Sequence, residues 1–136
     1  MDDVIGIYRE ASEANDLDRL IGLLAPDAEV VSPISGRMVF RGSDDLRILL
    51  GAVYSTTQGL RWTEEVGEGD ARVLIGEFKV GPLRMSDAMA FDLAPDGRIR
   101  RIRPHLRPLL GTTLFALLLG ARVGLHPGVV LRALRG

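Results

Sequence analysis

The chain has 136 residues and no cysteine: enough for one domain with its own core, and nothing for a disulfide framework, a thiolate nucleophile or a cysteine metal site. Two histidines far apart in sequence argue against zinc, and Asp2 and Asp3 stand where a signal peptide carries basic residues, so a cytoplasmic protein is expected. Net charge is −1, but all 18 acidic residues lie at or before Asp96, and the eight arginines after it (Arg98, Arg100, Arg101, Arg103, Arg107, Arg122, Arg132 and Arg135) have no acid among them. This asymmetry fits pairing with the acidic first half or a second subunit, and it also fits an anionic surface. Basic and aromatic residues do not interleave, which argues against nucleic acid as a partner.

Val4, Ile5, Tyr8, Ala11 and Ser12 fall near helical spacing. After the turn Asn15-Asp16-Leu17-Asp18, a second short helix continues through Leu20, Ile21 and Leu24, capped by Asp16 and stopped by Pro26. Residues 29–33 read as a strand, Ser35-Gly36-Arg37 as a turn and residues 38–40 as a short extended piece. Ser43 opens a third helix with acids in its first turn and Leu46, Leu49, Leu50 and Val53 along it. Strands follow at residues 60–66, 71–80, 83–93 and 98–106, with turns at Gly67-Glu68-Gly69-Asp70, Gly81-Pro82 and Asp96-Gly97. Helices first and an antiparallel meander after them is an α+β order.

Residues 109–119 are apolar except for Gly111, Thr112 and Thr113. As helix they cover about half of a bilayer core, which takes roughly 20 residues, so a transmembrane helix is not expected. Gly120 breaks the run, and His126-Pro127-Gly128 starts a short helix ending at Leu134 and Arg135, with Pro127 near its first turn. Two placements of this tail are open. It packs over the rest of the domain or a partner, or it makes weak contact with a membrane surface, arginines toward anionic headgroups.

The succession over residues 4–34 (helix, Asn15-Asp16-Leu17-Asp18 turn, helix, Ala25-Pro26-Asp27-Ala28, strand) resembles the start of the nuclear transport factor 2-like superfamily. The resemblance extends to about residue 106. It implies an α+β cone in residues 1–106, with a curved antiparallel sheet wrapped around three N-terminal helices, and a helical extension in 107–136. It also implies a deep apolar pocket for a small lipophilic ligand. Relatives often form homodimers through the convex sheet face, to which Leu74, Phe78, Trp62 or Ile99 would contribute.

Alignment with ketosteroid isomerase, a member of that superfamily, places its oxyanion tyrosine on Tyr8 and its base on Ser32, just before Pro33. Its oxyanion aspartic acid falls on Met89, and a second tyrosine near Leu50. Ser32 has no base beside it and cannot replace a carboxylate, and Met89 cannot donate a hydrogen bond, so the standard isomerase mechanism is not expected. Asp87 is the remaining candidate. Strand alternation puts Met85, Asp87, Met89 and Phe91 on one face, which the resemblance makes the pocket face. Arg100 and Ile102 share a parity that the resemblance also turns inward. The expected site therefore has Asp87 and Tyr8 as catalytic residues, with Ser32, Leu50, Met85, Met89, Phe91, Arg100 and Ile102 around the ligand.

A carboxylate desolvated between two methionines titrates near neutral pH and serves as a general acid or base, the part an aspartate plays in SnoaL-type cyclases. The alternative is that Asp87 pairs with Arg100. Tyr8 reads equally as a core aromatic, Trp62 as pocket lining or interface, and His105 as a surface residue. Glycine-rich phosphate loops are absent, since Gly67-Glu68-Gly69 and Gly81-Pro82 are turn chemistry, so no nucleotide or metal cofactor is expected. Two functions stay open: isomerase or cyclase chemistry on a lipophilic carbonyl compound, or a non-catalytic binding or dimeric interaction protein with a lost active site.

Overall fold

A computed structural model describes residues 3–135; Met1, Asp2 and Gly136 lie outside the described residues, and with them the Asp2 half of the acidic start and the last residue of the tail. Helix α1 (Val4–Glu13) begins at Asp3, whose carboxylate caps the Ile5 amide at 3.3 Å. Helix α2 (Leu17–Gly22) begins at Asp16 in the same way, capping Arg19. It ends at Gly22 and not at Leu24, because Leu24 already pairs with Ile99 as the start of strand β1 (Leu24–Val31). The strand therefore begins earlier than Glu29, and Pro26 sits where its register with the neighbouring strand slips.

After β1 come β2 (Val39–Arg41), α3 (Ser43–Thr56), β3 (Gln58–Val66), β4 (Ala71–Val80), β5 (Leu83–Leu93), β6 (Ile99–Arg103) and β7 (Leu106–Arg107), then α4 (Leu109–Val123) and α5 (Pro127–Arg135). The strands form one curved sheet in the order β2-β1-β6-β5-β4-β3, with β7 pairing β5 beyond the end of β6. Neighbours are antiparallel except β1 with β6. The last strand foreseen in the sequence is two pieces, because Pro104 cannot donate a ladder hydrogen bond.

Inward-facing side chains of the sheet meet α1 to α3 in a core that includes Ile5, Leu20, Leu46, Leu74, Ile99 and Ile102. Alternation along β4 turns Leu74, Gly76, Phe78 and Val80 inward and leaves Glu77 and Lys79 exposed. Leu74, Phe78, Trp62 and Ile99 are all buried, so they do not form the convex patch expected for a dimer.

Three polar contacts fasten α1 to β3: the Ser12 Oγ accepts from the Trp62 indole at 2.8 Å, Glu13 accepts from the Trp62 amide at 2.8 Å, and Arg9 donates to the Trp62 carbonyl at 2.7 Å. Gly76 makes the Trp62 position possible. A Cβ at residue 76 would lie 2.5 Å from the indole ring and 2.7 Å from the Arg61 carbonyl oxygen.

The C-terminal helices pack on this same body. Phe115 joins Phe78, Val80 and Met85 in a second apolar cluster, while Val123, Val129 and Ala133 are buried in the main core. Gly111 lets α4 approach β5, since a Cβ there would meet Met85 at 2.7 Å. Gly120 does not break the helix, which runs on to Val123. Among the described residues no single helix is long and apolar enough to cross a membrane; α4 and α5 pass only as a pair, bent by 114°.

Candidate functional site

The open end of the cone holds a cavity of about 420 Å³. Its walls come from β1 and the loop after it (Val30, Ser32, Pro33, Ile34), from α3 (Leu49, Val53, Tyr54) and from the sheet (Trp62, Phe78, Asp87, Met89). Residues Phe115, Ala116, Leu119, Gly120 and Val123 of α4 close another side. The lining is almost wholly apolar, and among the described residues Asp87 is the one carboxylate in it.

Asp87 sits mid-strand in β5, opposite Gly76 of β4 and Leu106 of β7. It is 5 % exposed. Its Oδ1 accepts one hydrogen bond, from the His105 amide at 3.1 Å, and no arginine or lysine pairs with it among the described residues. Burial pushes its pKa up to about 7, against the downward pull of that single amide. The His105 ring is exposed, so this residue contributes its backbone, which the Pro104 break leaves free of β6. Nothing in residue type could have announced that role.

Arg100, expected inward beside Asp87, is exposed and away from the cavity. The cause is a slip between β5 and β6: Asp92 pairs with Arg101 and Leu93 with Ile99, so Arg100 is an extra residue that the ladder skips. Ile99 and Ile102 are therefore both buried although they differ in parity. The alternative of an Asp87–Arg100 ion pair is overturned by this geometry.

Tyr8 is wholly buried, with Phe91 edge-on at 4.9 Å between ring centres. Its hydroxyl lies 2.6 Å from that of Tyr54, and Tyr54, not Tyr8, lines the cavity. Desolvation raises both phenols above their ordinary 10, joined for Tyr54 by its coupling to Tyr8 and, as a smaller cause for both, by the nearby Asp87 charge, so both stay protonated at any physiological pH. Tyr54 is the residue the sequence reading missed. It stands one helical turn beyond Leu50, and Leu46, Leu50 and Tyr54 share one face of α3.

Ser32 and Met89 line the cavity. The Ser32 Oγ accepts from the amides of Ile34 at 3.1 Å and Ser35 at 3.2 Å, which shapes the loop at the cavity's edge. Leu50, Met85, Phe91 and Ile102 do not line it. Leu50 and Ile102 are core residues, since α3 offers Leu49 and Val53 to the cavity instead. Met85 and Phe91 share the Asp87 face, but α4 covers the first through Gly111 and Phe115 and α1 covers the second through Tyr8. The cavity thus touches only the middle of β5. Among the described residues, no group of three or more His, Cys, Asp or Glu side chains is arranged to hold a metal ion.

No family model and no curated protein sequence matches this chain. Solved structures do match. The crystal structure of an uncharacterised bacterial protein with a cystatin-like fold, from Silicibacter pomeroyi DSS-3, superposes with a TM-score of 0.90 at 24 % identity and covers 98 % of this chain and 95 % of that one. A steroid delta-isomerase from Pseudomonas aeruginosa gives 0.83 at 21 % identity, covering 92 % of each chain. A SnoaL-like protein of unknown function from Burkholderia thailandensis E264 gives 0.65 at 18 %, covering 76 % of this chain and 92 % of that one. The chain therefore has the nuclear transport factor 2-like α+β fold. The match across 98 % of the chain takes in the C-terminal helices, so the extension has a structural counterpart. At these identities the likeness carries the fold and not the chemistry.

Proposed function

We propose that the cavity binds a small lipophilic carbonyl compound and moves a proton on it, with Asp87 as the general base and acid. The observation that carries this reading is a carboxylate with no cationic partner, buried in an apolar cavity with room beside it. Asp87 as carboxylate takes a proton from a carbon next to the carbonyl group. The electron pair moves onto the carbonyl oxygen as an enolate. The protonated Asp87 then returns the proton to a different carbon, so the product is an isomer and nothing else is consumed. Tyr54 donates to the developing oxyanion, and Tyr8, donating to Tyr54 from behind, keeps that hydroxyl oriented. A steroid delta-isomerase shares this fold, so the architecture can accommodate such a reaction, and the choice of it rests on Asp87 and the cavity.

The test is solvent deuterium uptake at the α-carbon of apolar enones and ketones, followed by NMR. The wild-type protein catalyses uptake, and Asp87→Asn lowers the rate by about 10² or more. Binding of the same compounds without uptake, unchanged by Asp87→Asn, would instead favour a carrier. Met89 and the engaged Ser32, standing where the isomerase keeps its acids, are the observations on that side.

A further inference from the structure

We infer that the C-terminal helix pair docks in the plane of an anionic membrane surface. On α4, Gly111, Phe115 and Val123 are buried, while Leu110, Thr113, Leu117 and Ala121 lie exposed at spacings of three and four, one stripe of the helix. Leu110 and Leu117 are 69 % and 68 % exposed. Leu109, Leu118 and Leu125 flank that stripe, and α5 adds Leu131 and Leu134. Single exposed leucines mean little, but this many on two consecutive helices mark an interaction surface.

Charge selects the occupant. No acid follows Asp96, whereas Arg107, Arg122 and Arg135 are exposed on or beside these helices. A cleft of about 340 Å³ between α3 and the α4 end is lined by Arg47, Arg122, His126 and Ser55. Arg47 is offset by Asp18 at 2.7 Å, but Arg122 meets only the Ser55 hydroxyl. Exposed cations on the same two helices as exposed leucines complement anionic headgroups over acyl chains. Among the described residues neither helix alone is long and apolar enough to span, and the pair is bent by 114° and packed on the domain through Phe115, Val123, Val129 and Ala133, which suits an interfacial contact. In one respect the inference rests on the function proposed above: α4 also walls the cavity, so a lipophilic ligand would enter from the bilayer beside it.

Co-sedimentation of the ligand-free full chain with vesicles tests docking independently of any chemistry in the cavity. Binding is expected to phosphatidylglycerol–phosphatidylcholine vesicles, about tenfold weaker to phosphatidylcholine alone, and weakened by salt. Leu117→Glu lowers affinity about tenfold, and Arg122→Gln and Arg135→Gln each about fivefold on anionic vesicles only. Circular dichroism of these surface variants should match wild type. Absence of vesicle binding, or binding indifferent to Leu117→Glu and to lipid charge, would overturn the inference. A dimer in light scattering that Leu117→Glu dissociates, with no vesicle binding, would also overturn it and assign the face to a second copy.

Discussion

Two aspartates in this chain expose little surface, Asp45 8 % and Asp87 5 %, but Asp45 lies near the surface under an arginine and Asp87 lies deep in an apolar cavity, and these surroundings push them in opposite directions. Asp45 stands in the first turn of α3 and receives two hydrogen bonds of 2.8 Å from Arg132 of α5. Those bonds hold its carboxyl below the ordinary 3.8, so it is charged wherever the protein is folded near neutrality. Asp87 has one amide and an apolar cavity, and it rises to about 7. Low exposure alone therefore does not predict the state of a carboxylate; the depth of its apolar surroundings and its charged partner do. One aspartate ties the C-terminal helix to the body, and the other is held without a charged partner among the described residues, at a cost to stability.

The largest effect expected from breaking this contrast is at Asp87. Its folded pKa lies above the unfolded one, so folding is favoured most at low pH and stability is lost as pH rises through about 7. The gap from 3.8 to about 7 is worth on the order of 4 kcal/mol at most. Asp87→Asn, which cannot ionise, should gain much of that at pH 8, less about 1 kcal/mol for unmatched amide donors, and nothing at pH 4. Urea unfolding at both pH values checks this, while the same variant loses proton transfer.

Gly76→Ala comes next. It removes the close approach of β4 to Trp62 beside the cavity, where the Arg61 carbonyl cannot yield, and should cost about 3 kcal/mol by denaturant midpoint. Tyr54→Phe leaves the Tyr8 hydroxyl buried without its partner and should cost about 1–2 kcal/mol, together with weaker binding of ketones at the cavity. The smallest effect belongs to Arg132→Gln. Asp45 has a depressed folded pKa, so its contribution is present above the ordinary value and fades as pH falls through the folded one. A modest drop in Tm at pH 7 that fades only as pH falls below the ordinary 3.8 is expected, the opposite pH sign to Asp87.

How much of this was legible in the sequence follows from the range of each signal. Alternation placed Asp87 inward because β5 is regular along the stretch that matters, and cap and turn residues marked most element boundaries. Arg100 was misplaced because a single skipped residue in β6 inverts parity, and no local signal announces that slip. Tyr54 was missed because a one-turn displacement on α3 moved the expected position to Leu50. Leu74 and Phe78 were assigned to the outer face because an apolar β-strand does not say which of its sides is covered. The cavity's fourth wall is α4, and its role depends on tertiary docking through Gly111 that periodicity cannot encode.

The central claim is that Asp87 is neutral and charged in comparable amounts near pH 7. Carbon-13 NMR of the aspartate carboxyl groups tests it directly, with Asp87 assigned as the resonance missing from Asp87→Asn. A midpoint of about 7 is expected for that carboxyl. A midpoint at or below the ordinary 3.8 would mean that Asp87 is solvated or paired in solution, and would contradict the proposed chemistry at the cavity.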